Sequence, residues 1–315
     1  MSDLRHDAAQ VLSRIHRITV IVNPAAGRGK ARKWIGELEV RLGLAIQNAH
    51  RIISWKIVET TCAGDGTRLA REAVAEGADI VVAAGGDGTI GEVLNGLVGT
   101  NVALGVIPMG TGNDFVRSIG IGVDVDKAIY NLLEGVPMAI DVGKTQGRYF
   151  VNVAGCGFDA VVAERVNRGF RNLHGTAAYL AAVVQCLLSY KATQIRLTLD
   201  NEVVETKAML CSIANARYYG GGMRIAPDAM LTDGLFDIVL LEEVGKLEFL
   251  WTFPKVFKGT HTTHPAVRIL RSKTVRVESD HPLPVLVDGE ILGTTPAEFE
   301  MLEGGLTLIG PYIPH

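Results

Sequence analysis

The hydrophobic and polar positions along this chain change rhythm near residue 137. From Arg17 to about Gly135, short apolar runs alternate with stretches of helical period: Ile18–Val22, a helix from Ala31, Lys56–Glu59, a helix from Gly66, Ile80–Ala84, a helix from Ile90, then Val102–Ile107. Short continuous apolar runs between helical segments read as strands buried on both faces, and the alternation predicts a parallel sheet with crossover helices. After Gly135-Val136-Pro137 the pattern becomes one of paired short strands: Ala139–Val142 with Tyr149–Val153, Ile195–Leu199 with Val203–Leu210, and Val275–Glu278 with Val285–Val287. Helical insertions fall near Ala160–Arg168, Thr176–Ser189 and Lys246–Phe257. The expectation is an α/β protein of two domains. Residues 1–137 form a parallel-sheet domain, and residues 138–315 form a mostly antiparallel, β-sandwich-like domain whose last residues pack back on the first.

Composition narrows the picture. A chain of 315 residues exceeds what one core usually fills. With 48% hydrophobic residues, 36 glycines and a net charge of −3, it reads as an ordinary globular protein with no general affinity for nucleic acid or anionic lipid. Any membrane contact must then be local. Met1–Gln10 carries charge and no apolar core, so it does not read as a signal peptide, and the apolar stretch Ala177–Leu188 is too short to span a bilayer. Cys62, Cys156, Cys186 and Cys211 are scattered, which fits a reducing cytoplasm better than a disulfide framework or a zinc site.

The candidate chemistry of the first half lies at strand ends. Gly85-Gly86-Asp87-Gly88-Thr89 stands between an apolar strand and a helix, where glycines let backbone N–H groups approach a phosphate and the helix N-terminus adds partial positive charge. An aspartate there suits a divalent cation bridging carboxylate and phosphate; as a bare turn, it would be an N-cap. Two further corners follow strands of the same sheet, Asn23 to Gly29 and Gly110 to Asp114, and ligands of such sheets bind at the carboxyl ends of strands. Arg28, Lys30, Arg32 and Lys33 cluster at a helix start, where each cation costs roughly 0.3–1 kcal/mol, so the cluster suggests an anionic partner or a solvated basic face. Neither Gly-x-x-x-x-Gly-Lys-Ser/Thr nor an opening Gly-x-Gly-x-x-Gly is present.

In the second half, Ala226 to Asp237 gathers Asp228, Asp233 and Asp237 into a turn, either solvated or stiffened by a metal. Asp288-Gly289-Glu290 places two carboxylates at a hairpin that needs no function to form. Arg165, Arg168 and Arg171 precede Ala177–Leu188, with Lys191 after it, which suggests either a membrane-facing entry for a lipid or a buried helix beside solvated arginines. His261-x-x-His264-Pro265 lacks a third metal ligand and reads as a surface loop.

Taken together, Asn23-Pro24 with Gly27, the Gly-Gly-Asp-Gly-Thr run with Glu92, Met109 to Asp114, Pro227-Asp228-Ala229 with Asp233-Gly234, and Asp288-Gly289-Glu290 resemble the soluble bacterial diacylglycerol kinases and their sphingosine and ceramide kinase relatives, in family order from residue 18 to about 300. The resemblance implies a fold like that of NAD kinase and diacylglycerol kinase, with a nucleotide-binding first domain. It implies that Asn23, Pro24, Ala25, Ala26, Gly27, Thr60, Gly86, Asp87, Gly88, Thr89, Glu92 and Thr111 surround ATP. It implies that Asp233, with the backbone carbonyls of Met230 and Leu235, holds a structural Mg²⁺ ion, that Asp288 is the general base, and that Glu290 and Asp87 are linked to the catalytic metal. Thr61 beside Thr60 leaves the choice between them open.

Those roles suit phosphoryl transfer, which asks for positioning and charge neutralisation, with the reaction expected between the domains and gated by their closure. The leading expectation is an ATP- and Mg²⁺-dependent lipid kinase converting diacylglycerol to phosphatidic acid at the inner face of the membrane, cytoplasmic and peripheral, as a homodimer if it follows the family. Another lipid alcohol or a sphingoid base is the nearest alternative acceptor. NAD kinase shares the Gly-Gly-Asp-Gly-Thr region, but Gly293-Thr294-Thr295-Pro296 is only a fragment of its substrate motif, and phosphofructokinase's Asp-Asn-Asp signature is missing. A non-catalytic lipid or nucleotide binder would have no use for the acidic set.

Overall fold

A computed structural model describes residues 15–50, 52–169 and 176–311; the expectations for Met1–Gln10, for Arg171 and for the Arg168 side chain lie outside the described residues. The chain divides into two compact units, Met1–Val142 with Glu303–His315, and Gly143–Leu302.

The first unit holds β1 (Arg17–Val22), α1 (Lys30–Asn48), β2 (Ser54–Glu59), α2 (Asp65–Ala75), β3 (Ile80–Gly85), α3 (Asp87–Leu97), β4 (Ala103–Pro108), α4 (Asp114–Ser118) and α5 (Val125–Glu134). The strands run parallel in the order β4-β3-β1-β2. Every residue of β3 and β4 is buried, which is why both read as unbroken apolar runs, whereas the edge strand β2 alternates exposed and partly buried positions.

Then come β5 (Val136–Thr145), β6 (Arg148–Phe150), β7 (Val153–Gly157), α6 (Phe158–Gly169), α7 (Thr176–Ser189), β8 (Thr193–Leu199), β9 (Val203–Ala214), β10 (Phe236–Glu242), α8 (Lys246–Thr252), β11 (Val267–Ser272), β12 (Thr274–Ser279), β13 (Pro284–Val287), β14 (Glu290–Thr294) and β15 (Ala297–Gly310). Within the second unit the pairing is antiparallel: β9 pairs with β8 through its first half and with both β7 and β10 through its second, so one long strand ties several partners together. The expected pairing of Val275–Glu278 with Val285–Val287 does not occur. A two-residue turn folds β13 onto β14 and leaves its other edge to β7, while β12 lies between β8 and the start of β15. Phe150 and Phe236, both fully buried, stack at 5.8 Å in the core these strands enclose. The end of β15 belongs to the first unit: Leu308 pairs in parallel with Leu104 of β4, and Gly304 N–H donates to Asp141 Oδ1 at 2.8 Å. No helix among the described residues is long and apolar enough to cross a membrane.

One part of the second unit is packed around space. Phe158, Val162, Val183 and Phe249 belong to a buried apolar cluster that borders a cavity of about 70 Å³. Asp159, at the start of α6, also lines it. Its Oδ1 accepts from the N–H of Ala160 at 2.8 Å, its buried Oδ2 has no partner, and burial pushes the carboxyl up to about 7. His261, expected on a surface loop, is instead buried on the cavity wall, with Nε2 3.0 Å from the carbonyl of Ile225 and burial lowering its pKa.

Because the folded pKa of Asp159 exceeds its unfolded value of 3.8, the folded state keeps a proton that the unfolded chain releases, and stability falls as pH rises from about 4 to about 7. At roughly 1.4 kcal/mol per unit, the loss reaches about 4 kcal/mol above that window. Asp159→Asn is expected to flatten this slope, so urea denaturation should show the variant gaining on the parent between pH 5 and pH 8. Parallel curves for the two proteins would remove Asp159 as the buried titrating group.

Candidate active site

The strand ends of the first unit are bonded to one another. Asn23, at the end of β1, accepts the N–H of Ala25 on Oδ1 at 2.9 Å and donates from Nδ2 to the Thr89 hydroxyl at 3.2 Å. Pro24 holds Asn23 out of helical conformation, which frees its side chain for this bridge. Asp87 accepts the N–H of Phe115 at 3.0 Å, joining the corner after β3 to the corner after β4. Those two corners also touch backbone to backbone: a Cβ on Gly110 would lie 2.5 Å from Gly86 Cα, and one on Gly86 would lie 3.1 Å from Gly110 Cα. Gly110 therefore admits no side chain without backbone movement, while one at Gly86 would need its neighbour to give by a few tenths of an ångström.

The helix after β3 begins at Asp87, a turn earlier than the apolar pattern from Ile90 suggests. Glycine, aspartate and threonine are poor helix formers, so the first turn is hidden in the sequence. Gly86 is the N-cap, and the Asp87 carboxylate makes no cap bond, which rules out the bare N-cap reading. Glu92, one turn further along α3, accepts the N–H groups of Gly64 and Gly66, each at 2.8 Å, and fixes the corner that follows β2. Its role in this structure is therefore to brace a loop.

That corner also separates the two threonines. The Thr61 N–H and hydroxyl both bond Asp65 Oδ2, at 2.8 and 2.9 Å, and Asp65 is held below the usual carboxylate range first by the Thr61 N–H and then by Arg68. Thr60, whose N–H bonds the Val22 carbonyl, keeps an unengaged hydroxyl among the described residues. Gly27, Arg28 and Gly29 adopt positive φ in succession, which turns the chain sharply into α1. Arg28, Arg32 and Lys33 are exposed and have no acidic partner among the described residues. Gly88 and Thr111 are exposed, Ala25 is exposed, Pro24 and Gly27 are half-buried, and Ala26 is buried.

In the second unit, Asp288 and Gly289 form the β13–β14 turn with φ of 45° and 90°. The turn aims the Asp288 carboxylate back at the chain, where Oδ1 accepts from Asn152 and Val153 N–H at 3.1 Å each and Oδ2 from Val151 N–H at 3.2 Å. A carboxylate held at both oxygens has a fixed direction and a stabilised charge, which suits it to orient a hydroxyl. Glu290, two residues on, is exposed and paired with Arg148, so in this structure its charge is answered by an arginine.

The carboxylates between Ala226 and Asp237 offer a different environment. Asp233 Oδ1 accepts the Leu235 N–H at 3.2 Å while Oδ2 pairs with Arg271. Asp237 is buried, its Oδ2 has no hydrogen-bond partner, and burial pushes it up to about 6, with Arg271 opposing and Asp233 and Asp228 adding to the rise. An orphaned buried carboxylate oxygen beside a second carboxylate fits a hard cation with oxygen ligands. Among the described residues no three acidic, His or Cys side chains gather closely enough to hold a metal alone, so such an ion would draw on backbone carbonyls such as those of Met230 and Leu235. Asp237, the last of the three carboxylates that the sequence gathers into a turn, instead lies in β10, where it is paired in register with Ala214 of β9 and Arg271 of β11.

Comparison with known proteins agrees with this architecture. The diacylglycerol kinase catalytic domain matches residues 17–145, and the YegS C-terminal NAD kinase beta sandwich-like domain matches residues 152–310. A diacylglycerol kinase of Bacillus subtilis is 32% identical over 298 residues, covering 94% of this chain and 96% of its own length. A diacylglycerol kinase of Mycobacterium tuberculosis is 34% identical over 304 residues, covering 94% of this chain and 96% of its own length. A solved diacylglycerol kinase structure from Bacillus anthracis superposes with a TM-score of 0.73 at 25% identity, covering 94% of this chain and 97% of that one. With a catalytic domain and a sandwich-like domain in the family order, and relatives aligned over nearly the whole length, this chain belongs to the diacylglycerol kinase family of lipid kinases.

Proposed function

We propose that this kinase transfers the γ-phosphate of ATP to the free hydroxyl of diacylglycerol, releasing ADP and phosphatidic acid. The observation that supports this most is the mutual bonding of the strand-end corners in the first unit, where Asn23, Gly86, Asp87, Thr89 and Gly110 are locked into one rigid set of backbone donors. Backbone N–H groups at the start of α3 suit the phosphate chain, while Pro24, Ala25, Ala26, Gly27, Thr60, Gly88 and Thr111 complete the nucleotide surface and Glu92 keeps the neighbouring corner in place. Asp87 is the carboxylate suited to the metal that accompanies the nucleotide. Bound Mg²⁺ supplies neutralisation of the phosphate charge.

Asp288 acts on the acceptor. Its fixed carboxylate orients the lipid hydroxyl, whose oxygen bonds to the γ-phosphorus as the bond to the β–γ bridging oxygen breaks, and it accepts the hydroxyl proton. Glu290 would be available to hold the catalytic metal only on giving up its pairing with Arg148. The apolar cavity lined by Phe158, Val162, Val183 and Phe249 suits an acyl chain, holding a short segment as it stands and more on widening. One observation favours a second acceptor class: the unpartnered oxygen of Asp159 in that cavity would pair with the ammonium of a sphingoid base. A panel of lipid alcohols with labelled ATP separates the two.

Asp288→Asn is expected to keep ATP binding and lower kcat by at least about 100-fold, the loss typical of a general base. Unchanged turnover in mixed micelles would take Asp288 out of the reaction. Asp233→Ala is expected to lower Tm, and with it the rise in Tm that added Mg²⁺ gives the parent protein. If Mg²⁺ raises Tm equally in both, the ion is not held at Asp233.

A further inference from the structure

We propose that the outward faces of α7 and α8, with the 3-10 turn Phe253–Lys258 that continues α8, are the surface by which this protein docks on an anionic membrane leaflet. This deepens the lipid-acceptor reading and rests on it only for the route a lipid takes to the cavity; docking itself is independent of turnover.

The segment from Lys246 to Lys258 has two apolar sides. Phe249 and Val256 are buried, and with Thr252 and Phe253 they wall the cavity. On the opposite side Leu247 is 77% exposed and Trp251 83%, with Leu250 and Phe257 also open to solvent. A helix at a protein surface ordinarily turns polar residues outward, so apolar residues on this second side call for a partner. The neighbouring α7 repeats the pattern: Val183, Cys186 and Leu187 are buried while Val184 and Leu188 are exposed. The two faces adjoin, since Lys246 Nζ donates to the Leu188 carbonyl.

Charge identifies the partner. Lys255 and Lys258 are exposed at one end of the apolar face, and Arg165 and Lys191 border one groove beside α7, which Glu164 also lines. None of these four cations has a carboxylate partner among the described residues. The acids around α8 are already paired: Glu242 with Arg268, Glu243 with Lys207, and Glu248 with His264. An apolar face carrying an exposed tryptophan and bordered by unpaired cations matches the interface of an anionic bilayer, where the indole sits at headgroup level and the lysines meet lipid phosphates. A lipid leaving the leaflet there needs to pass only the thickness of α8 to reach the cavity.

The test uses the full chain with vesicles of phosphatidylcholine containing phosphatidylglycerol, beside vesicles of phosphatidylcholine alone. The parent protein is expected to cosediment with the anionic vesicles and to release as salt is raised. Brominated acyl chains should quench its tryptophan fluorescence, and Trp251→Phe should abolish that quenching while binding persists. The pair Leu247→Ser/Trp251→Ser and the pair Lys255→Glu/Lys258→Glu should each weaken binding by at least about tenfold, the scale expected for removing two surface cations, with melting temperatures unchanged because all four side chains are exposed. Absence of vesicle binding by the parent protein, or binding by both paired variants as tight as the parent's, overturns the proposal. Conversion of a lipid-free dimer to a monomer by Leu247→Ser/Trp251→Ser, read by sedimentation equilibrium, also overturns it and assigns the face to a second copy of the chain. Phosphate transfer to a short-chain, water-soluble diacylglycerol is measured separately, so the membrane result stands whether or not that acceptor is used.

Discussion

The candidate nucleotide surface depends on one steric constraint, the contact between Gly86 and Gly110. Parallel strands β3 and β4 deliver two turns side by side, and a side chain on either glycine would push those turns apart. Once they are in contact, Asp87 reaches the Phe115 N–H and Thr89 reaches Asn23, so a single close approach fixes three strand ends. Glu92 extends the same order to a fourth strand end through the backbone of Gly64 and Gly66. The surface is therefore preorganised by main-chain geometry, the form of preorganisation that best suits a ligand recognised through its phosphates.

The second unit arranges its polar groups differently. There the informative side chains are carboxylates, and each is handled by a distinct device: Asp288 by backbone donors, Glu290 by an arginine, and Asp159 and Asp237 by burial with one oxygen left unsatisfied. Buried oxygens without partners are costly, and those of Asp159 and Asp237 stand on the cavity wall and beside the acidic loop.

Much of this was legible in the sequence, for physical reasons that differ by region. Strands β1, β3 and β4 declared themselves because burial on both faces demands unbroken apolar runs, and their glycine corners marked where they stop. The first turn of α3 was hidden because residues that favour phosphate contact disfavour helix. The partners of β12 and β13 were mistaken because proximity in sequence says little once a tight turn has committed one edge of a strand. His261 looked exposed because histidine carries no hydropathic signature of its own; only the packing of α6, α7 and α8 around a cavity buries it. Lys246–Phe257 was legible as a helical insertion, yet that it carries apolar residues on two sides emerges only from the burial of Phe249 and Val256 against the exposure of Leu247 and Trp251.

The parallel pairing of Leu308 with Leu104 has a consequence for biogenesis. Strand β4 has β3 on one edge and the end of β15 on the other, so the parallel sheet of the first unit lacks its closing strand until residues 303–310 have been synthesised. During translation the early half would wait with an open hydrogen-bonding edge while the whole of Gly143–Leu302 emerges. A fragment ending at Val142 would carry that edge permanently, and it would be a poor vehicle for expressing the unit alone.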